Sequence, residues 1–295
     1  TKALRITNGN QSSGAGAGDK YFLEYRSEGQ DIANSGWQYT SASSYITLSF
    51  WIKSSVAQTF QGYLLTLDGT NYKYPYNTGA LSADTWTKVT KTIPGNSNLQ
   101  IDNDNGPGFL IVLAPFIGTD FTDSVSDNAW SAYASGARTN ASASTWWTTD
   151  DAQLELTGVQ LEVGETATEF EHKTFAEDFL QCQRYLQYVG YNGQDGQFCI
   201  SASHMTSAGD QTRCGYYGPT NLRATPSITE FGDGLRVIGS AGKTNTAALS
   251  IDDIAINYPS TMLQFNATMT DIGDDNEIVV VTNTANGGIK IECEL

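Results

Sequence analysis

Charge is scarce in this chain. Lys, Arg, Asp and Glu together make up only 16% of its 295 residues, which excludes the Glu-, Lys- and Arg-rich make-up of a helical bundle or long coiled coil. Histidine occurs twice, at His172 and His204, and neither sits at a zinc-finger spacing from a cysteine. The four cysteines (Cys182, Cys199, Cys214 and Cys293) are far apart and form no CxxC, so no metal cluster is expected and the thiols read as free, buried small hydrophobes. No GxSxG or HExxH occurs, which removes the commonest hydrolase signatures. No apolar run approaches 18 residues and no leader-like segment is present, so the chain is expected to be soluble, without membrane insertion. Without a Met at its start, it reads as a fragment or a processed product. Cations are half as common as carboxylates, 16 against 32, for a net charge of −16. The acidity is even, with 9 basic and 18 acidic residues up to residue 172 and 7 and 14 beyond. Such a surface repels nucleic acid and anionic lipid, and disfavours strongly acidic polysaccharides unless a local Arg/Lys patch or a bridging cation intervenes.

What the chain does have is aromatic and β-branched residues among abundant Gly, Ser, Thr and Asn, the make-up of an all-β protein with many turns. "YITLSFWIKS" (residues 45–54) places Ile46, Leu48, Phe50 and Ile52 on one face and Tyr45, Ser49, Trp51 and Lys53 on the other, a half-buried strand of period two. "GYLLTLDGTNYKYPY" carries an Asp68–Gly69 turn signal. "TWTKVTKTI" alternates less cleanly through Trp86, Val89 and Ile93. "GFLIVLAPFIG" is apolar throughout, as in a strand buried on both faces. "DNDNG" before it misses the EF-hand pattern, because Gly106 takes the third ligand position, and reads as a turn. In "AQLELTGVQLEVG" the apolar phase slips by one residue at Thr157–Gly158, the mark of a β-bulge at glycine. Eight or so strands in the first 172 residues predict a jelly-roll β-sandwich.

"TFAEDFLQCQRYLQYVG" then changes period. Thr174 and Glu177 form a capping box, and Phe175, Phe179, Cys182 and Leu186 recur at i, i+4, i+7 and i+11, with Gly190 as the stop. The spacing predicts a connecting helix over residues 173–190. Its stripe suits docking on a neighbouring sandwich, or self-association. From residue 191 to 295 short strands resume ("GQFCISAS", "RCGYYG", "PSITEFG", "MLQFNATM", "IKIECEL"), predicting a smaller C-terminal β-sandwich.

These residues carry a resemblance. "EGQDIANSG", "ITLSFWIKSS", "DTWTKVTKTIPG", "DNGPGFLIVLAP" and above all "LTGVQLEVGETATEFEHKTFAEDFLQCQRYLQYV" resemble a family of bacteriophage tail-fibre and related virion proteins, many of them from phages of marine bacteria. There a carbohydrate-binding-module-like jelly roll ends in a "TGVQLEVG" strand followed by a helix with a "CQRY" element. The likeness covers most of residues 1–190. "NLRATPSITEFG" is similar to the element that opens the variable C-terminal portion of such proteins. The resemblance implies a virion protein, trimeric in many members, that works beside other tail proteins and contacts a bacterial surface polysaccharide. The tip would be residues 191–295. Related modules hold a structural calcium through an Asp in the last strand. Here Thr157 and Gly158 stand at that place, which argues against calcium there, although Asp150 and Asp151 lie close by in sequence.

Sugars are held by aromatic faces stacked on their C–H surfaces and by polar groups reading their hydroxyls, so aromatic clusters in loops are the candidates. Three stand out: Tyr72, Tyr74 and Tyr76 beside Pro75; Trp146 and Trp147; and Tyr191, Tyr216 and Tyr217 with Asp210 and Arg213. For each, the competing reading is a core edge or an interface between copies. No catalytic residue emerges. Carboxylate pairs such as Asp252–Asp253 read as turn residues, and no enzyme activity is expected. The expected function is non-covalent recognition of a bacterial surface glycan. A purely structural virion role, in capsid decoration or tail assembly, is the alternative.

Overall fold

The alternating segments roll up as one long nested hairpin. In the computed structural model, residues 2–9, 14–190, 199–203, 211–231, 235–239, 244–245, 250–255, 262–268, 278–282 and 288–293 are described. The chain divides into two units, Thr1–His172 and Lys173–Glu294. The first contains β1 (Leu4–Thr7), β2 (Lys20–Glu28), α1 (Gly29–Ala33), β3 (Tyr45–Ser54), β4 (Gln61–Thr66), β5 (Tyr72–Asn77), β6 (Thr87–Pro94), β7 (Pro107–Ile117), the two-residue β8 (Ser131–Ala132), α2 (Thr145–Thr148) and β9 (Gln153–Val163). Antiparallel pairs nest outside to inside: β1 with β9, β2 with β7, β3 with β6 and β4 with β5. Folding this ribbon over itself yields a four-stranded sheet in the order β1-β9-β3-β6 facing a five-stranded sheet in the order β2-β7-β4-β5-β8. That is a jelly roll.

The core lies between the sheets, where Ile46, Leu48, Phe50 and Ile52 of β3 meet Leu64 of β4 and Phe109, Ile111 and Leu113 of β7. Strand β7 is buried on both faces, as its unbroken apolar run implies. Its Leu110 and Val112 join Tyr63 and Leu65 in a second, smaller cluster on the far side of the five-stranded sheet. The register of β2 against β7 skips between Tyr21, paired with Phe116, and Leu23, paired with Leu113, so Pro115 falls within an irregularity where its missing N–H breaks no ladder bond. The phase slip at Thr157–Gly158 is likewise a bulge. The β3–β9 register shifts between Ser49 and Trp51, and Gly158 takes φ +59°.

Among the described residues, the second unit is all-β apart from α3 (Phe175–Cys182). Its strands are β10 (Leu186–Gly190), β11 (Cys199–Ser203), β12 (Gln211–Tyr217), β13 (Ser227–Phe231), β14 (Leu235–Gly239), β15 (Thr244–Asn245), β16 (Ser250–Ala255), β17 (Met262–Thr268), β18 (Ile278–Thr282) and β19 (Gly288–Glu292). They form three small antiparallel sheets, β10-β19-β13, β11-β18-β14-β15 and β12-β17-β16. The capping box of Thr174 and Glu177 is present, but the helix is half the expected length. Leu186 is not its fourth stripe position; it opens β10 and pairs with Glu292. The coincidence arises because Leu186-Gln-Tyr-Val189 also suits a strand: Gln187 and Val189 are buried and Tyr188 is exposed. Phe175 is 82% exposed and stacks on Phe179, itself exposed, with ring centroids 5.6 Å apart.

Candidate functional site

Three of the five candidate aromatics in the first unit are core residues. The alternate tyrosines of "YKYPY" lie on β5, and the pleat turns Tyr74 and Tyr76 inward, 2% and 1% exposed. The Tyr74 hydroxyl donates to the Thr92 carbonyl at 3.4 Å, and its ring lies 5.3 Å from that of Trp130. Burial pushes its phenol up to about 12. Tyr76 donates to the Val112 carbonyl at 2.9 Å, and burial pushes its phenol well above the ordinary range. Tyr72 is half-buried against the same core. Pro75 gave the segment the look of a loop. It is tolerated because β8 pairs only with Tyr72 and Lys73, leaving the outer side of β5 free of a ladder at that point. Trp146 is fully buried. Its amide donates to the Gln58 side-chain oxygen at 2.8 Å, and Asn8 Nδ2 donates to the Trp146, Trp147 and Thr149 carbonyls at the end of α2. Trp147 is half-buried with its ring 4.9 Å from Phe116. Tyr74, Tyr76 and Trp146 therefore offer no free stacking face of the kind a sugar requires.

In the second unit, Arg213, Tyr216 and Tyr217 lie on β12, in register with Asn266, Leu263 and Met262 of β17. Tyr216 is half-buried, and burial raises its phenol. Tyr191 and Asp210 lie outside the described residues.

Of the two outer faces of the jelly roll, the five-stranded one is closed by its own chain. Residues 118–141 cross it. The Arg138 guanidinium stands 4.8 Å from the Phe121 ring, 5.7 Å from Phe22 and 5.9 Å from Tyr133. Beneath lie Tyr63, its phenol pushed up to about 12 mainly by burial, and Lys73, 3% exposed. Lys73 donates to the Ala132 carbonyl at 3.4 Å, and burial lowers its ammonium pKa. Asp127 ties the covering segment down by accepting from Asn77 (2.6 Å) and Asn140 (3.0 Å).

The four-stranded face stays open over its centre. Register alone places Arg5 of β1, Glu155 of β9 and Lys53 of β3 in one row, and Thr157, Trp51 and Lys88 in the next. Glu155 is buried and accepts from Arg5 Nε (3.0 Å) and Nη2 (2.7 Å) while pairing with Lys53. The hydrogen bonds from Lys53 and then Arg5 hold its carboxyl below the usual range. The Lys53 ammonium also lies 5.2 Å from the Trp86 ring. Trp51 is 41% exposed, and Trp86, the residue just before β6, is 38% exposed beside the end of the β3–β6 ladder at Ile52 and Thr87.

One end of this face is roofed. After β9 the chain reverses at Gly164 and returns over the sheet as residues 164–172. Thr47 donates to the Gly164 carbonyl at 2.8 Å and Thr92 to that of Glu165 at 2.9 Å. Both the amide and the hydroxyl of Thr168 donate to Glu162, and the Glu171 amide donates to Gln160 Oε1 at 2.8 Å. Phe170 lies over Gly158 beside Trp51, and its ring is 5.1 Å from that of His172. The "VQLEVGETATEFE" segment is thus a strand and its clasp.

Trp51 and Trp86 were not among the loop aromatics singled out from the sequence. The signal was present nonetheless. Alternation put Trp51 and Lys53 on the outward face of β3, and Trp86 disturbed the β6 pattern because it has the opposite parity to Val89 and Ile93. Thr157, the position where related modules carry an Asp, donates its hydroxyl to the Lys2 carbonyl at 2.8 Å. That arrangement does not fit a calcium ion. Among the described residues, no three His, Cys, Asp or Glu are grouped to hold a metal, and no helix is long and apolar enough to cross a membrane.

No protein-family model matches the chain, and no curated protein matches it. Among solved structures, the PBSX exported protein XepA aligns at 10% identity over 98% of this chain and 84% of its own, with a TM-score of 0.21. A secreted-protein candidate from Parabacteroides distasonis aligns at 10% identity over 99% and 89%, with a TM-score of 0.25. A cycloisomaltooligosaccharide glucanotransferase from Paenibacillus sp., solved with cycloisomaltoheptaose, aligns at 10% identity over 98% of this chain and 44% of its own, with a TM-score of 0.18. TM-scores of this size establish no shared fold.

Proposed function

We propose that the chain is a bacteriophage virion appendage protein, of the tail-fibre or adhesin kind, that holds a bacterial surface glycan without covalent chemistry. The observation that carries the binding part is the outer face of the four-stranded sheet, where Trp51 of β3 and Trp86, the residue just before β6, are both exposed and Lys53, paired with the buried Glu155, stands against the Trp86 ring. Rigid aromatics bind at little entropic cost. The virion part rests on the resemblance of residues 1–190. Each site is weak, and several copies on one particle gain affinity through effective concentration. Homotrimeric assembly belongs to the same proposal.

The test is binding of the full chain to a panel of bacterial envelope polysaccharides by affinity electrophoresis, with reducing ends assayed in the same samples. Retardation without release of ends, weakened by Trp51→Ala and Trp86→Ala, is the expected result. Release of ends would make the protein an enzyme and overturn the reading. The second reading is a structural virion protein without glycan binding. It draws on the exposure of Phe175, Phe179 and Leu180, which suits contact between copies, and it predicts no retardation by any polysaccharide.

A further inference from the structure

We infer that the ligand of the Trp51–Trp86 face is an uncharged stretch of glycan, recognised through its C–H surfaces and hydroxyls rather than through carboxylate or phosphate groups. This rests on the glycan-binding reading of the same face, and the charge layout carries it.

Three cations on β1, β3 and β6 point outward there, and two of them are already paired with a carboxylate. Arg5 and Lys53 share the buried Glu155. Lys88, in register with Trp51, donates to the Thr168 carbonyl at 3.4 Å and lies near Glu162. The clasp adds Glu165, Glu169 and Glu171, all exposed. The face and its rim therefore carry Arg5, Lys53 and Lys88 against Glu155, Glu162, Glu165, Glu169 and Glu171, on a chain whose net charge is −16. A polyanion approaching the tryptophans meets a locally negative rim within one Debye length, about 8 Å at physiological salt. Two of the face's three outward cations, Arg5 and Lys53, are already paired with Glu155. To take a ligand carboxylate, Lys53 or Arg5 would have to leave Glu155, stranding a buried charge. A hydroxyl asks less. An ammonium has three N–H donors, so Lys88 keeps donors for a sugar oxygen while it holds Thr168. The aromatic faces need no charge at all.

The test compares uncharged polymers (dextran, galactomannan, mixed-linkage β-glucan) with polygalacturonate, alginate and a poly(glycerol phosphate), using quenching of tryptophan emission and affinity electrophoresis on the full chain. The expected result is binding to at least one uncharged polymer. It should change less than about twofold between 50 mM and 500 mM salt, since no net ion pair forms. Trp51→Ala and Trp86→Ala should each weaken it at least about tenfold, as for a central aromatic anchor, while Trp51→Phe should recover most of the loss with far-UV and near-UV spectra unchanged. Binding confined to the polyanions, or falling steeply with salt, would overturn the inference and leave the glycan reading standing. Failure of every polymer of both classes would overturn both. Concentration-dependent self-association that Trp51→Ala abolishes would assign the face to a second copy of the chain and overturn both as well.

Discussion

Gly62 is the second residue of β4, a central strand, where a glycine is ordinarily a weakness. The structure supplies its reason. Tyr76, its register partner on β5, lays its ring across Gly62 to reach β7, where the hydroxyl meets the Val112 carbonyl at 2.9 Å. A Cβ on residue 62 would stand 2.6 Å from both that hydroxyl and the Val112 oxygen. Gly62→Ala must therefore expel Tyr76 or spread the sheet. Overpacking a tight core costs about 1–3 kcal/mol, and the lost buried hydrogen bond adds about 1 kcal/mol. The smaller entropy of an unfolded Ala returns about 0.4–1 kcal/mol. A net destabilisation near 2 kcal/mol corresponds to a fall of about 1 M in the urea midpoint for a unit of this size. All six tryptophans lie before residue 172, so tryptophan emission follows the unfolding of the first unit alone within the full chain. Tyr76→Phe should by itself lower the midpoint by about 0.5 M. In the Gly62→Ala background it should add almost nothing, because the hydroxyl has already lost its partner. A midpoint for Gly62→Ala within about 0.2 M of the parent, or a double variant whose shift equals the sum of the singles, would refute the crossing-ring account.

The Glu155 carboxyl is depressed by Lys53 and Arg5, so its stabilising contribution is complete above the unfolded value near 4.3 and disappears as pH falls through the lower folded value. Urea midpoints followed by tryptophan emission should drop as pH falls below about 4.3 in the parent and vary less in Glu155→Gln. At Gly158, φ +59° leaves room for a methyl group, whose nearest side-chain atom would be Trp51 Cδ1 at 3.4 Å. Gly158→Ala should cost about 1 kcal/mol through backbone strain, and Gly158→Asn less, by the same midpoints. Thr174→Ala removes the hydroxyl that accepts from the Glu177 amide while leaving the backbone half of the capping box, and costs about 1 kcal/mol of helix stability, which should speed exchange of the Glu177 and Asp178 amides about fivefold by hydrogen-exchange mass spectrometry.

The jelly roll was legible because its evidence is local. Period-two alternation, the Asp68–Gly69 turn, the two-faced run of β7 and the phase slip at Gly158 each state which way neighbouring residues face. The site was less legible because exposure depends on what crosses a strand from far away in sequence. Tyr74 and Tyr76 look like loop aromatics beside Pro75 until the shortness of β8 is known. Thr47 and Ser49 are outward by alternation yet buried, because residues 164–172 fold back over them. Trp51 and Trp86 escape that cover, and nothing local distinguishes an outward Trp under a clasp from one beyond it. The α3 stripe failed for another reason: Leu186 fits both periods, and only its pairing with β19 decides.

The clasp also bears on tension. Pulling on the chain beyond His172 would load residues 164–172 before β9, and the bonds of Glu171, Thr168, Glu165 and Gly164 would open one after another rather than together. Nine residues paid out this way span at most about 30 Å. A load applied beyond His172 would gain that slack at low force before any strand pair of the jelly roll began to part.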